Sequence, residues 1–297
     1  MEVLIYDPSM LDRITALYNR SVGNVPHCYP VLPEEFATEL PVALGGRAKR
    51  DLMKSETLLV AQQRGSPLGF IHAGVVSRED LGDTGVIRFF CYEPGNRAAG
   101  RALLTGAEKH IVERGMNKIH AYPQEFRYRF YHFEHAYLSM KLGSVEGLLG
   151  MAGYERRSGE IFMDYPEYPP LEPSPARIPV GVSLEWKEGR GKRPGLRIHA
   201  HFEGRHVGIC CSVSAGEFSS REEAQDWFCT EWLGINDEFQ GKGLGRHVLQ
   251  RALLELHRVG YRHASLSTDW HNYRALLFYT NYGYQVVDRT YSWKKDL

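Results

Sequence analysis

Apolar residues recur at helical spacing in two clear stretches. Between Leu11 and Val22 they fall at Leu11, Ile14, Leu17 and Tyr18; between Leu244 and Arg258 they fall at Leu244, Val248, Leu249, Ala252, Leu253 and Leu256. A period near 3.6 puts each set on one face, so both stretches are expected as amphipathic helices. Arg258 in the last turn and Gly260 just beyond supply a stop for the second. Shorter helices are expected at 33–40 and 273–281. Runs rich in β-branched and aromatic residues predict strands at 57–62 and 68–76, joined through Arg64-Gly65-Ser66-Pro67, and a hairpin of 196–202 and 206–213 around Glu203-Gly204-Arg205. Further strands are expected at 227–236, 264–268, 284–289 and 291–294. The fold class is therefore α+β, a mixed and mainly antiparallel sheet flanked by helices, with one βαβ crossover in it.

One seam interrupts this pattern. The stretch DYPEYPPLEPSPARIP, residues 164–179, places prolines so densely that regular structure is forbidden. It divides the 297 residues into a domain at 1–165, a linker at 166–179 and a domain at 180–297, a length that suits two ordinary cores. Lysine plus arginine balances aspartate plus glutamate at 36 each, so no global field recruits nucleic acid or an anionic membrane. The N-terminus MEVLIYDPSM has no basic region followed by an apolar core, and no window is long enough to span a bilayer, so a cytoplasmic protein is expected. Cys28, Cys91, Cys210, Cys211 and Cys229 lack C-x-x-C spacing and read as small hydrophobes. His132 and His135 have ligand-like spacing but no H-E-x-x-H, and His199 and His201 share a strand face, so no metal is expected. The aromatic run 122–137 is expected to pack, or to line an acceptor pocket or domain interface.

The stretch NDEFQGKGLGRHVLQ, residues 236–250, carries the clearest chemistry. A strand that runs through Gly241-Lys242-Gly243-Leu244-Gly245 into a helix leaves several backbone N–H groups pointing one way with no intrahelical acceptor. Reinforced by the helix dipole, such a nest binds phosphate, and glycines let the backbone approach a bulky diphosphate. A Walker A loop would need Ser or Thr after Lys242, where Gly243 stands, and a dinucleotide fingerprint would need glycine where Arg246 stands. A glycine turn with only a structural job is the remaining alternative.

Gln240-Gly241-Lys242-Gly243-Leu244-Gly245 resembles the Q/R-x-x-G-x-G/A signature of the GNAT superfamily of acetyl-CoA-dependent N-acyltransferases, and the segment from Asn272 through Phe278, Tyr279 and Gly283 to Tyr284 resembles its second signature. The resemblance implies that the backbone of Gly241, Lys242, Gly243, Leu244, Gly245 and Arg246 holds the coenzyme A pyrophosphate. It also implies that Leu233, Gly234 and Ile235 pair with the pantetheine arm on a strand that bulges and splays from its neighbour, and that Asn272 contacts the cofactor. Tyr279 matches the tyrosine that protonates the departing thiolate; without the motif, it would read as a core aromatic. Glu231 is the candidate base, with Ser267 at the position some relatives use and Asp269 close by. The expected reaction is acetyl transfer from acetyl-CoA, as co-substrate, to an amine of a small molecule or peptide. The alternative is a non-catalytic acetyl-CoA-binding or sensing protein.

The first half echoes the second. Arg97-x-x-Gly100-x-Ala102 satisfies the same signature, Gly153-Tyr154 echoes Gly283-Tyr284, Arg88 falls opposite Glu231, and Leu149 falls where Tyr279 stands. A tandem GNAT protein is implied, with a degenerate first domain and a catalytic second domain that lacks the family's opening helices. The first domain is then expected to supply part of the acceptor wall.

Overall fold

The computed structural model describes residues 1–41, 44, 53–78 and 82–297. The chain forms two compact units, Met1–Glu160 with Asp288–Leu297, and Ile161–Val287.

The first unit runs β1 (Glu2–Ile5), α1 (Leu11–Val22), α2 (Pro33–Ala37), β2 (Lys54–Gln63), β3 (Ser66–Arg78), β4 (Gly82–Tyr92), α3 (Arg97–Val112), β5 (Lys118–Ala121), β6 (Leu138–Ser139) and α4 (Gly143–Met151). The unit boundary falls within β7 (Glu155–Tyr165). Strands β1 to β4 pair antiparallel in order, and β5 joins β4 in parallel. The apolar stripe of α1 buries Ile14, Leu17 and Tyr18 while Asp12, Arg13 and Arg20 face water. The Tyr18 ring meets those of Phe36, Phe89, Tyr128 and Phe130 edge-on or tilted at 5.1–6.2 Å between ring centres, the separations that quadrupolar rings favour. The aromatic run at 122–137 thus packs into this core.

His120, on β5, is buried beside Arg157, whose Nη1 lies 2.9 Å from its Nδ1. Burial, then the charges of Arg157, Lys118 and Lys294, pulls its pKa from 6.5 down to about 4. Because the folded value is the lower one, the unfolded chain takes up the proton first on acidification. The stability contributed is full above the unfolded value of 6.5 and is lost as pH falls toward about 4. The thermal midpoint is therefore expected to drop across that window, and His120→Gln should flatten the drop in a series of pH-dependent melts.

The second unit continues from β7 through 166–180 to β8 (Gly181–Lys187), β9 (Gly195–Phe202), β10 (Arg205–Ser214), β11 (Trp227–Ile235), α5 (Leu244–Arg258), β12 (His263–Asp269) and α6 (Tyr273–Tyr282). No helix of the described residues in this unit precedes β8. Strands β8 to β11 are antiparallel neighbours, and β12 runs parallel to β11 with α5 as the crossover. Helix α5 buries Leu244, Val248, Leu249, Ala252, Leu253 and Leu256 against Leu196, Ile198, Ala200, Phe228, Ala264 and their neighbours. At roughly 1.5–3 kcal/mol for each large side chain removed from water, this stripe is what holds the helix in place.

The proline-rich residues 166–179 adopt neither helix nor strand and belong to the second unit. Tyr168 is only 2% exposed there, and Ser174 N donates to Gln250 Oε1 at 2.7 Å. A fragment starting near Val180 would lose Ile161, Met163 and Tyr168 from the core. At about 1.5–3 kcal/mol each, that removes much of the roughly 5–15 kcal/mol by which domains are stable. Such a fragment is expected to lack a cooperative melt by calorimetry.

Two strands expected at 284–289 and 291–294 are one strand, β13 (Gln285–Asp296). Nothing at Arg289-Thr290 breaks it: Thr290 is fully buried and pairs with Ser139. From Asp288 onward β13 belongs to the first unit, where it pairs antiparallel with β5 and β6.

Candidate functional site

Strand β11 is antiparallel to β10 from Phe228↔Ser214 to Ile235↔Gly208, with one irregularity. Cys211 faces Trp232 and Ser212 faces Thr230, which leaves Glu231 as the extra residue of a β-bulge. Pairing with β12 is shorter. It runs from Trp227↔His263 to Thr230↔Leu266, although β11 continues to Ile235 and β12 to Asp269. The two strands therefore part just after the bulge. Asn236 N donates to Val207 O on β10 at 3.0 Å. By the alternation of an antiparallel ladder, Gly234 also faces β10, while Leu233 and Ile235 turn their N–H and C=O toward the gap. A Cβ at Gly234 would lie 2.6 Å from Trp232 Nε1, so the exposed indole would have to move to admit one.

Between β11 and α5 lies the glycine turn. Gly241 and Gly243 hold φ of +73° and +80°, the left-handed region that L side chains avoid. No side chain caps α5, and the first N–H to bond back into the turn is that of His247, to Gly243 O at 3.1 Å. The N–H groups of Lys242, Gly243, Leu244, Gly245 and Arg246 find no acceptor among the described residues. The turn is braced from outside. Gln240 Nε2 donates to Ile235 O at 2.9 Å and Asp237 Oδ1 at 2.7 Å, while its Oε1 accepts from Arg274 Nη1 on α6 at 2.6 Å. Lys242 Nζ donates to Glu238 O at 2.8 Å, and Lys242 O accepts from Arg177 N at 2.9 Å.

The brace from Arg274 was not apparent from the signature strings, although both residues stand in them. Removing it with Arg274→Ala frees the Gln240 amide to turn and takes one cation from the rim. Should the turn hold acetyl-CoA, as the sequence resemblance implies, the loss of such a bond at about 0.5–1.5 kcal/mol is expected to weaken its binding about three- to tenfold in a calorimetric titration.

Asn272 is the N-cap of α6, its Oδ1 accepting from Ala275 N at 3.1 Å. That leaves its Nδ2 free to donate outward. Tyr279 lies two turns on and is 8% exposed, its ring 5.6 Å from Tyr284 and 5.1 Å from Phe278. Its hydroxyl has no hydrogen-bond partner among the described residues. Burial, then the Cys210 thiol, pushes its pKa above the ordinary phenol value, so it is held as a proton donor. Tyr279 belongs to the same buried cluster as Cys210, which pairs with Leu233 on β11. Glu231 is half-buried at the bulge, near enough to Cys211 to help raise that thiol. Ser267 is half-buried on the diverging part of β12, and the Asp269 Oδ1 caps His271 N at 2.8 Å. Among the described residues, no group of three or more His, Cys, Asp and Glu side chains is placed to hold a metal ion.

A family model described as "Acetyltransferase (GNAT) domain" matches residues 194–286, the segment that holds the bulged strand, its splayed parallel neighbour and the open nest. Residues 194–286 are a GNAT domain. The matched segment of this GNAT domain runs from the end of the β8–β9 connection to the start of β13 and contains Glu231, residues 233–235 and 240–246, Asn272, Arg274 and Tyr279.

The chain as a whole has the tandem GNAT fold. It superposes on a tandem GNAT protein from the clavulanic acid biosynthesis pathway with a TM-score of 0.68 at 12% identity, covering 99% of this chain and 98% of that one. A GCN5-related N-acetyltransferase from Sphaerobacter thermophilus gives a TM-score of 0.62 at 17% identity, covering 99% and 95%. The glucosamine N-acetyltransferase region of a fungal multi-domain β-N-acetylglucosaminidase gives 0.65 at 14% identity, covering 99% of this chain and 38% of that one. At these identities the likeness is one of fold. No curated protein matches the sequence. No helix of the described residues is long and apolar enough to cross a membrane.

Proposed function

We propose that the GNAT domain transfers an acetyl group from acetyl-CoA to an amine of a small molecule or peptide by direct attack within a ternary complex. The observation that carries this reading is the sequence of features along one path: the open nest at 242–246, the gap-facing backbone at Leu233 and Ile235, and a phenol held protonated beside Cys210. In this reading the nest receives the pyrophosphate and Asn272 Nδ2 donates to the cofactor. Leu233 and Ile235, with Gly234 between them, take the pantetheine as an added strand. The thioester supplies the activated acetyl group.

The acceptor ammonium must lose a proton before its nitrogen can attack. Glu231, the first residue past the last β11–β12 pair, is our candidate to take it, directly or through water. As the carbon–sulfur bond breaks, negative charge gathers on sulfur and the Tyr279 hydroxyl donates to it. Two protons leave the ammonium: one passes through Glu231 to solvent before attack, and the other, shed by nitrogen as the amide forms, restores the proton that Tyr279 gives to the thiol. We place the protein in the cytoplasm.

Burial of Tyr279 in the aromatic core favours one second reading, an acetyl-CoA-binding protein without turnover. The two separate in an assay of free thiol released from acetyl-CoA against a panel of small amines, amino sugars and peptide N-termini. Amine-dependent release is expected. Tight acetyl-CoA binding with no release on any amine would leave the binding protein standing.

A further inference from the structure

The first unit repeats the strand geometry of the second. On β4, His72 pairs with Phe89 and Ala73 with Ile87, so Arg88 is the extra residue of a bulge, as Glu231 is on β11. Parallel pairing of β4 with β5 stops at Ile87↔Ala121, as that of β11 with β12 stops at Thr230↔Leu266. The end of β4 is tied to its antiparallel neighbour by Glu93 N to Leu68 O at 2.8 Å, the counterpart of Asn236 N to Val207 O. Counted from the bulge, Phe90 stands where Leu233 stands. Tyr122, the first residue after the last parallel pair, stands where Ser267 stands.

The same alternation turns Phe90 N–H and C=O toward the gap. Here those groups are taken. Tyr122 folds its side chain back so that its hydroxyl accepts from Phe90 N at 3.0 Å and donates to Phe90 O. Its ring packs against Phe89 at 5.7 Å and Tyr131 at 6.4 Å, leaving the residue 3% exposed. Its φ of +54° is unusual for an aromatic residue, and the buried hydrogen bonds help hold it.

The turn before the helix differs as well. Eight residues, 236–243, separate β11 from α5, but only four, 93–96, separate β4 from α3. Arg97-x-x-Gly100-x-Ala102 therefore lies inside α3, where Ala99 N and Gly100 N already donate to Asn96 O. Gly100 serves packing instead: a Cβ there would lie 2.7 Å from the Tyr92 ring.

We propose that the first unit is a self-filled copy of the coenzyme site, its Tyr122 phenol taking the main-chain hydrogen bonds that a pantetheine arm takes in the second, so that the chain binds one acetyl-CoA. The proposal rests on the reading of the second unit as an acetyl-CoA site. It also gives the Arg88 position its sense. With the gap closed no base is needed, and the guanidinium is spent on Glu39 and on Phe126 O at 2.6 Å.

Titration calorimetry of the full-length protein with acetyl-CoA should give one site per chain. Hydrogen exchange read by mass spectrometry should show ligand protection in peptides covering 227–246 and none in peptides covering 85–92. Two sites, or ligand protection at 85–92, would overturn the proposal while leaving the second-unit reading intact. Absence of binding altogether would sink that reading and this one with it. Without ligand, Tyr122→Phe keeps the ring but loses both hydrogen bonds, and the Phe90 amide should then exchange about tenfold faster. Unchanged Phe90 exchange in that variant would also overturn the proposal.

Discussion

Tyr279→Phe is expected to lower kcat by about 10²–10³-fold while acetyl-CoA Kd stays within about threefold. The substitution is conservative for the fold. The ring keeps its place between Phe278 and Tyr284, and the lost hydroxyl leaves no described donor or acceptor stranded, so the thermal midpoint should hardly move. On the proposed mechanism, what disappears is the proton for the departing sulfur. A thiolate is a tolerable leaving group unaided, which is why the expected loss sits at the lower end of what general acids contribute. The raised phenol pKa adds a second signature. Because burial holds the folded value above that of a free phenol, the donor stays protonated through the pH range in which an ordinary tyrosine would ionise. The alkaline limb of the wild-type rate profile should therefore not report Tyr279. Single-turnover kinetics check the first claim: a Tyr279→Phe variant with wild-type kcat would remove Tyr279 from the mechanism.

Gly241→Val together with Gly243→Val is expected to weaken acetyl-CoA binding by about 10²–10⁴-fold, as two charge-assisted hydrogen bonds at about 1.5–3 kcal/mol each are lost or misdirected. Both positions hold positive φ, and a β-branched side chain cannot adopt it without strain. Space is not the difficulty. Added Cβ atoms would meet nothing within 4 Å at Gly241 and only Ala176 Cα at 3.9 Å at Gly243. The turn would thus have to change its dihedrals, and the N–H groups of 242–246 would no longer converge. Since α5 is anchored by its buried stripe rather than by a cap, the helix should survive. Calorimetric titration and a melt of the variant, run together, separate lost binding from lost fold. Retained affinity in a folded variant would mean that the turn is not the phosphate cradle.

Much of this site can be read from the sequence because its determinants are local. Glycine at 241 and 243 requires special dihedrals, a following amphipathic run requires a helix, and a helix start without a capping side chain leaves open donors. The α5 stripe and the hairpin around Gly204 are legible for the same reason. What escapes are the features decided by register. Arg274 reaches Gln240 across 34 residues. Arg97-x-x-Gly100-x-Ala102 fits the signature as a string, but whether such glycines precede a helix or lie in it depends on a four-residue turn that the string does not disclose. Tyr122 reads as one aromatic among many until pairing at Ile87↔Ala121 sets it against Phe90. The end of the chain misleads differently, since polar Arg289-Thr290 suggests a break in a strand that is in fact covered on both sides.

That final strand has a consequence for the order of events in biosynthesis. The second unit is contiguous, 161–287, and can condense as soon as it clears the ribosome. The first unit, although translated earlier, waits with the edges of β5 and β6 unpaired until residues 288–296 arrive. Vectorial synthesis is thus reversed in this chain: the part made first is completed last, and a ribosome that stalls before Asp288 releases a polypeptide whose later half is whole and whose earlier half is not.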